Sequence, residues 1–407
     1  MQFSLRTAGQ IVFGRGTARR AAELTLPLGR RVFLVTGGRS LEQGGHLARL
    51  TDELDRQKVP WTRLSVTMEP DVALIDRAAA LCREAGSEVV LAVGGGSVLD
   101  AGKAVAALAT NPGSVIEYLE DAGRGAPRPL LQPPLPVVAL PTTCGSGSET
   151  TRNSVVRIPE LQVKRSLRSD SLLPRVALID PELAQGAPLP VAAAAGLDAL
   201  THLLEGYVSR GAQPTTDALA LRGLGLATRA LSVLADLADS AAPTSAEASD
   251  GDGDPRGAAF DQMALASLWG GIVLANAGLG AVHGLVAPLG GHYEVAHGDA
   301  CACLLPATLL ANIEALHRRA PAHPALSRYR EIIALICPDG LKTPERAAEK
   351  LGSLRQKLGV RSLRERGVSP QSLSRIVAQA RGGSMRSNPI ELSDAELEAI
   401  LINTLAA

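Results

Sequence analysis

Four residues of types that commonly bind metal ions stand out in the C-terminal half of the sequence. Asp198 and His202 are four residues apart in an apolar segment with helical periodicity, so both side chains leave one face of the predicted helix. His283 and His297 follow within His-Gly pairs, in a chain that has only seven histidines. One carboxylate and three imidazoles would suit Fe²⁺ or Zn²⁺ and leave a position for a substrate oxygen. The alternative is that these histidines pack in the core or cap helices.

A glycine-rich turn, Gly94-Gly95-Gly96-Ser97, follows a short apolar run and precedes a helical pattern that contains Asp100. Glycines allow the backbone to approach a phosphate, and the free N–H groups at the start of a helix favour an anion. The spacing matches neither the GxGxxG fingerprint nor a P-loop. An ordinary strand-to-helix turn is the alternative, but three consecutive glycines favour phosphate binding.

A second turn of interest follows the first predicted strand. Many NAD enzymes carry an acid at this point to bind the ribose 2′-hydroxyl, whereas NADP enzymes have small or basic groups there. This turn has no acid, since Thr36 is followed by Gly37, Gly38, Arg39 and Ser40. It therefore has room for a 2′-phosphate, with a plain turn as the alternative.

A third segment, Pro141–Glu149, is rich in hydroxyl groups and glycine and also follows a predicted strand. Thr142, Thr143 and Ser146 offer small hydrogen-bond donors to a polar ligand. Cys144 has no histidine or other base nearby in the sequence, so we interpret it as a residue that packs or lines the site and not as a nucleophile.

The elements that must position these residues change in character along the chain. Short apolar runs that stop at glycine or proline alternate with helical patterns, which predicts a mostly parallel, Rossmann-like sheet covered by helices. Beyond about residue 188, long segments rich in alanine and leucine predict helices throughout. We therefore predict an α/β domain at residues 1–188 and an all-α domain at 189–407, with a surface loop at 240–257. The predicted strands are 31–36, 88–93, 136–141 and 176–180.

The composition argues against several classes of protein. The 41 Lys+Arg balance the 41 Asp+Glu among 407 residues, which argues against a nucleic-acid-binding surface and a polybasic membrane anchor. Five scattered cysteines form no CxxC pair and no disulfide framework. No uncharged apolar run reaches about 18 residues, and the N-terminus lacks an apolar signal core. We predict a cytoplasmic protein with no nucleic-acid or membrane partner.

Taken together, these segments resemble the iron-containing (group III) alcohol dehydrogenase family. The resemblance extends over nearly the whole chain and includes four motifs in the family's order. The family pairs an N-terminal dinucleotide-binding α/β domain with a C-terminal helical metal-binding domain, as drawn above. The matching segments are GGGS-x-x-D at 94–100, P-T-T-x-G-[ST]-G-S-E at 141–149, G-x-D-A-x-x-H at 196–202, and the His-Gly pairs that begin at 283 and 297.

The resemblance implies a role for each matching residue. It implies four metal ligands, with Fe²⁺ as the expected ion and Zn²⁺ as the alternative: Asp198, His202, His283 and His297. It places Asp100 near the nicotinamide, as a candidate catalytic residue. The absence of an acid after the first strand, together with Ser40, favours NADP(H) over NAD(H). The predicted nucleotide-binding residues are Gly37, Gly38, Ser40, Gly94, Gly95, Gly96, Ser97, Asp100, Thr142, Thr143, Ser146 and Lys164, the last matching a lysine that in the family reaches the nicotinamide ribose.

One departure from the family concerns proton transfer. Many members carry a second histidine four residues after the ligand that matches His283, beside the substrate, whereas this chain has Ala287 there. His292 is near in sequence and is the candidate catalytic residue that could take over this role.

The implied activity is that of an alcohol dehydrogenase or aldehyde reductase. Hydride would pass between a nicotinamide and a metal-bound alcohol or carbonyl, with small-molecule alcohols or aldehydes as substrates and a homodimer as the expected assembly. Two other activities share the fold. Maleylacetate-reductase-type enzymes often lack a functional metal site, and dehydroquinate-synthase-like lyases need a basic cluster that this sequence does not show. A nucleotide-binding scaffold without chemistry is the non-enzyme alternative.

Overall fold

A computed structural model describes residues 2–123, 125–239 and 254–406, without the side chains of Arg39 and Ser40. Most of the loop predicted at 240–257 therefore lies outside the described residues.

The described chain forms two compact units. An α/β unit contains Arg6–Ala187, and a helical unit contains Pro188–Ala407 together with Met1–Leu5. The division between the units falls at Ala187–Pro188, beside the predicted boundary at 188. Residues 2–5 group with the helical unit, which differs from the predicted α/β domain at 1–188. A boundary predicted from composition divides the chain at one point, so it cannot assign an N-terminal segment to the second domain.

The α/β unit is built on a parallel sheet of six strands in the order β1-β8-β5-β4-β2-β3, and a separate hairpin pairs β6 with β7 antiparallel. The strands are β1 (Gln10–Phe13), β2 (Val32–Thr36), β3 (Trp61–Ser65), β4 (Val89–Gly94), β5 (Val137–Pro141), β6 (Asn153–Ile158), β7 (Val163–Arg168) and β8 (Val176–Ile179). The helices of this unit are α1 (Ala21–Thr25), α2 (Arg39–Gln43), α3 (His46–Arg56), α4 (Val72–Glu84), α5 (Gly96–Thr110) and α6 (Glu182–Gln185).

The central strands are buried on both faces, which explains their continuous apolar sequences. Alternate residues of β2 show the two faces. Phe33 and Val35 belong to the core that contains Ile75 of α4 and Leu99 of α5. Leu34 belongs to the opposite core, where α1 and α3 cover the sheet. The predicted α/β architecture with a mostly parallel sheet is thereby confirmed.

In the described part of the second unit the regular elements are helices. They are α7 (Leu189–Val208), α8 (Pro214–Asp239), α9 (Pro255–Ala277), α10 (Ala281–His292), α11 (His297–Arg319), α12 (Ala325–Ile336), α13 (Pro344–Lys357), α14 (Leu373–Gln379) and α15 (Asp394–Ala406). The first residue of α9 is Pro255, and proline is favoured at the first position of a helix. Asp254 caps the helix, because its side chain accepts from the N–H of Arg256. The loop predicted to extend to residue 257 therefore gives way to helix at Pro255.

Three helices of this unit, α8, α9 and α11, are long and apolar enough to cross a membrane by length and composition. Between 61% and 67% of their most apolar windows is buried inside the protein. Packing within the unit therefore accounts for much of their apolar character. The absence of a membrane partner stays a prediction.

Candidate active site

Three loops that the sequence predicts as nucleotide-binding lie side by side at one edge of the sheet. The parallel register pairs Thr36 with Val93 and Gly94 with Pro141, so β2, β4 and β5 end at the same level. Backbone hydrogen bonds continue past the strand ends, from the Gly37 N–H to the Val93 carbonyl at 3.3 Å and from the Thr142 N–H to the Gly94 carbonyl at 3.0 Å. Ligands of open α/β sheets bind at this carboxyl edge.

The three consecutive glycines allow a close approach between helix α5 and its neighbours. A Cβ atom at Gly94 would lie 2.5 Å from Val98 Cγ2, and one at Gly96 would lie 2.8 Å from Ser146 Cβ. Gly95 caps α5 without a side chain, which leaves the first N–H groups of a 15-residue helix without a side-chain acceptor at the cap. Because Gly95, Gly96 and Ser97 are partly exposed, this helix start can accept a phosphate.

Asp100 is held by contacts within its own unit. One carboxylate oxygen accepts from the Ser148 hydroxyl at 2.5 Å and lies 3.1 Å from Lys103 Nζ. The other accepts from the Val155 N–H at 2.9 Å. These contacts tie α5 to the hydroxyl-rich loop and to β6, so the geometry supports a structural role for Asp100. Its predicted catalytic role stays a prediction.

Lys103 and Glu149 lie buried behind the same loops. Lys103 Nζ donates to the Ser148 carbonyl and the Thr151 hydroxyl, each at 3.0 Å. Burial lowers the pKa of Lys103 and raises the pKa of Glu149 to about 7. Glu149 Oε2 has no hydrogen-bond partner within the described structure. The sequence analysis did not single out either side chain, although Glu149 ends the motif at 141–149 and Lys103 is three residues after Asp100, which ends the motif at 94–100.

The other predicted nucleotide-binding residues differ in how accessible their side chains are. Thr142, Thr143 and Ser146 are partly exposed in the loop after β5. Lys164 lies on β7, where its Nζ forms an ion pair of 2.5 Å with Glu69, so its contact with a ribose stays a prediction. Ser40 lies on α2, and its side chain is outside the described residues.

The four predicted metal ligands meet in the helical unit. One donor atom from each of Asp198, His202, His283 and His297 lies within 4.8 Å of every other. Asp198 Oδ1 faces three imidazole Nε2 atoms, at 3.6 Å from His202, 3.3 Å from His283 and 3.6 Å from His297. Asp198, His202 and His283 are buried, whereas the His297 side chain is 44% exposed. The cluster thus has one accessible side.

Three helices, α7, α10 and α11, carry the four ligands. Asp198 and His202 are one turn apart on α7, so they share a face. His283 lies in the first turn of α10, and His297 is the first residue of α11. The imidazoles of His202 and His283 stack, with their centroids 4.6 Å apart.

This donor set fits a divalent cation. Four donors at bond lengths of ~2.1 Å in a tetrahedron lie ~3.4 Å from one another, which matches the separations around Asp198 Oδ1. That oxygen is buried and accepts no hydrogen bond of good geometry. Such an unsatisfied buried carboxylate oxygen is costly unless a cation or a donor satisfies it.

The pKa shifts of the ligands also indicate that the cluster suits a cation. Burial raises the pKa of Asp198, but the three imidazoles lower it more strongly, so this pKa lies well below its usual range. Burial lowers the pKa of His283, while its contacts with Cys301, Asp198 and Glu205 raise it, with a net upward direction. The site therefore favours positive charge at its centre, which a bound cation would supply.

Two residues that the sequence analysis missed support this cluster. Glu205 Oε2 lies 2.7 Å from His283 Nδ1, and Asn388 Oδ1 accepts from the Ala281 N–H at 3.0 Å. A signal for Glu205 was present, since it is three residues after His202 and on the same face of the helix.

His292 ends α10, where its Nε2 lies 2.9 Å from Gln379 Oε1. It is not a member of the metal-ligating group, and its role in proton transfer stays a prediction. Ala287, one turn after His283, is exposed and offers no titratable group.

Comparison with known sequences decides the family. The profile of the iron-containing alcohol dehydrogenases matches residues 8–181. The profile of the C-terminal part of the Fe-containing alcohol dehydrogenase family matches residues 192–405. This chain is an iron-containing alcohol dehydrogenase family member. The predicted family is thereby confirmed.

Individual relatives cover nearly the full length of the chain. Lactaldehyde reductase of Escherichia coli (strain K12) is 29% identical over 93% of this chain and 94% of its own length. Alcohol dehydrogenase 4 of Saccharomyces cerevisiae is 30% identical over 96% and 95%. A crystal structure of a variant of an archaeal alcohol dehydrogenase from a Red Sea brine pool aligns with a TM-score of 0.87 at 27% identity, covering 100% of this chain and 99% of that one. Oxidoreductase chemistry of the alcohol dehydrogenase type follows, and the family implies a metal and a nicotinamide cofactor.

Proposed function

We propose that this chain is a metal-dependent alcohol dehydrogenase or aldehyde reductase that acts on small-molecule alcohols or aldehydes and prefers NADP(H). The observation that carries the metal dependence is the buried Asp198 carboxylate oxygen, which faces three imidazole nitrogens at 3.3–3.6 Å. Fe²⁺ is the proposed ion, and Zn²⁺ suits the same donors. The four intact ligands weigh against a maleylacetate-reductase-type site without metal.

The residues of the chain have separate tasks in this proposal. Asp198 and the three histidines would hold the cation, which supplies Lewis-acid stabilisation of negative charge on the substrate oxygen. The Gly95–Ser97 turn and the hydroxyl groups of Thr142 and Ser146 would hold the dinucleotide, whose nicotinamide donates or accepts the hydride. The protein contributes orientation of the reactants.

The cofactor preference rests on the end of β2. Gly37 and Gly38 carry no side chain that could repel a 2′-phosphate. The nearest acid on α2, Glu42, is paired with Arg63, whose Nη2 lies 2.7 Å from Glu42 Oε1. Arg63 Nε also donates to the Thr36 hydroxyl at 2.9 Å, which brings the guanidinium to the end of β2. An arginine near this position is the usual partner of a 2′-phosphate.

The test is oxidation of NADPH and NADH, followed by absorbance, against a panel of aldehydes and ketones. The protein would be loaded with Fe²⁺, loaded with Zn²⁺, or treated with a chelator. We expect turnover that requires metal and a higher kcat/KM with NADPH. Turnover that survives complete metal removal would disprove the metal dependence, and a higher kcat/KM with NADH would disprove the cofactor preference. Bound metal and nucleotide without turnover of any carbonyl would favour a lyase or a narrow substrate outside the panel.

The proposal includes a homodimer in the cytoplasm with no membrane or nucleic-acid partner. The homodimer derives from the family resemblance only. The cytoplasmic location rests on the five scattered cysteines, which form no disulfide framework, and the lack of a nucleic-acid partner or a polybasic membrane anchor rests on the balanced charge. Size-exclusion chromatography with light scattering tests the oligomeric state, for which a monomer would contradict the expectation.

A further inference from the structure

Glu205 touches both the His283 imidazole and the backbone that carries it. Glu205 lies on α7 and is 4% exposed. Its Oε2 is 2.7 Å from His283 Nδ1, and its Oε1 accepts from the Val282 N–H at 2.7 Å. One buried carboxylate therefore uses both oxygens on adjacent residues of α10.

The contact with Nδ1 determines which imidazole nitrogen is available to a metal. A carboxylate can only accept hydrogen bonds, so Nδ1 of His283 must carry the proton. In a neutral imidazole the lone pair then lies on Nε2. That nitrogen is the one that faces Asp198 Oδ1 at 3.3 Å.

We propose that Glu205 is a positioning residue of the metal centre. It fixes His283 as the tautomer whose Nε2 can bind a cation, and it adds a second buried negative charge beside Asp198. Carboxylates that accept from a metal-binding histidine raise the basicity of the ligand and hold its orientation. The inference rests on the proposed metal dependence.

Without Glu205, a competing arrangement becomes available to His283. The tautomer protonated at Nε2 could donate to Asp198 Oδ1, which is already 3.3 Å away. That hydrogen bond would occupy the lone pair of the carboxylate and the nitrogen that the metal needs. Glu205 therefore stabilises the binding form against a form in which two ligands satisfy each other.

The start of helix α10 is built around the same carboxylate. The cap residue Gly280 has no side chain, and the first N–H groups are satisfied from elsewhere, Ala281 by Asn388 Oδ1 at 3.0 Å and Val282 by Glu205. A Cβ atom at Gly280 would lie 2.8 Å from Asn388 Oδ1 and 2.9 Å from Glu205 Oε1. Asn388 thus anchors this turn, while Glu205 anchors the turn and also holds the imidazole.

Because Asn388 anchors the turn without contacting the imidazole, its removal is a matched control for the removal of Glu205. Glu205→Ala removes the anchor and the imidazole contact, whereas Asn388→Ala removes an anchor and leaves the imidazole contact. Glu205→Gln keeps the size of the side chain and can still accept from Nδ1 through its one oxygen. It loses the negative charge, and its amide nitrogen cannot accept from the Val282 N–H. Circular dichroism and thermal unfolding show whether each variant folds.

The experiment measures the affinity of the full-length protein for Zn²⁺ by competition with a chromophoric chelator. We expect Glu205→Ala to weaken binding by about 10- to 100-fold, Glu205→Gln to lie between Glu205→Ala and the wild type, and Asn388→Ala to bind nearly as the wild type does. A second readout is the Nδ1 proton of His283 in Zn²⁺-loaded protein with ¹⁵N-labelled histidine. This proton should exchange slowly in the wild type and in Asn388→Ala, and rapidly in Glu205→Ala.

The outcomes separate this inference from the proposed function. A wild-type protein that does not bind Zn²⁺ or Fe²⁺ would overturn the metal dependence itself. A wild type that binds Zn²⁺, with equal affinity in folded Glu205→Ala, would overturn only the positioning role. An Asn388→Ala variant that loses as much affinity as Glu205→Ala would show that anchoring of the helix, and not the imidazole contact, is what matters. If Glu205→Ala does not fold, the comparison of Glu205→Gln with Asn388→Ala decides the point.

Discussion

Glu149 makes a specific prediction about how stability depends on pH. This carboxyl group is 1% exposed at the end of the hydroxyl-rich loop, and its Oε2 has no hydrogen-bond partner within the described structure. Burial raises its pKa from 4.5 to about 7. The perturbation is Glu149→Gln, which keeps the shape of the side chain and removes the titration.

The raised pKa of Glu149 determines how its contribution to the free energy of unfolding changes with pH. The folded state binds the proton more tightly than the unfolded state, so this group stabilises the fold below its unfolded pKa. That contribution is lost as the pH rises from about 4.5 to about 7. At about 1.4 kcal/mol per pH unit the full effect is on the order of 3 kcal/mol. We therefore expect Glu149→Gln to gain about 2–3 kcal/mol relative to the wild type between about pH 5 and about pH 8.

The assay is urea unfolding followed by tryptophan fluorescence across this pH range. The chain has two tryptophans, Trp61 in the α/β unit and Trp269 in the helical unit. A Trp269→Phe background leaves Trp61 to report on the unit that contains Glu149, which avoids treating two units as one transition. Glu160→Gln, at an exposed position in the same unit, controls for the change in net charge. A difference between wild type and Glu149→Gln that stays constant with pH would refute the reasoning.

Three further changes test the two binding sites. His297→Ala should abolish tight metal binding, because it removes one of four ligands, whereas His317→Ala on the same helix should retain the metal; metal analysis after dialysis compares them. Arg63→Met should raise the Kd for NADPH about tenfold or more and leave the Kd for NADH nearly unchanged, since a charge-assisted contact contributes about 1.5–3 kcal/mol. Fluorescence titration measures both Kd values, and an equal rise in the two would contradict the role of Arg63. Gly96→Ala should weaken the binding of both nucleotides in the same titration, because its Cβ would lie 2.8 Å from Ser146 Cβ. Wild-type affinity for both nucleotides in this variant would contradict the importance of the close packing.

The sequence predicts the centre of the sheet better than its edges. Strands β2, β4, β5 and β8 are continuous apolar runs, and their bounds agree with the predicted ones within one residue. The edge strand β3 contains Thr62, Arg63 and Ser65 and is mostly half-buried, so it lacks the apolar run that identifies a buried strand. The hairpin of β6 and β7 likewise includes Arg157 and Lys164 and lies outside the main sheet.

For the metal cluster, spacing alone predicts only part of the arrangement. Asp198 and His202 had to share a helical face, because they are one turn apart. The meeting of this pair with His283 and His297 depends on how α7, α10 and α11 pack, which periodicity does not specify. In the sequence analysis, the family motifs supplied this information. Contacts such as that between Glu205 and His283 depend on side-chain geometry, so motif matching does not reveal them.

Helix α7 gives a physical reason to regard this cluster as functional. Asp198, His202 and Glu205 follow one another at spacings of four and three residues, so they form a polar stripe on one face. All three are no more than 4% exposed, in a helix that is otherwise largely alanine and leucine. Two buried carboxylates on one helical face are costly unless their charge is compensated. Imidazoles compensate part of it, and a divalent cation would compensate the rest, so metal binding and the stability of α7 should be linked. A helix selected only for packing would carry apolar residues at these three positions, because they would stabilise the core at no electrostatic cost.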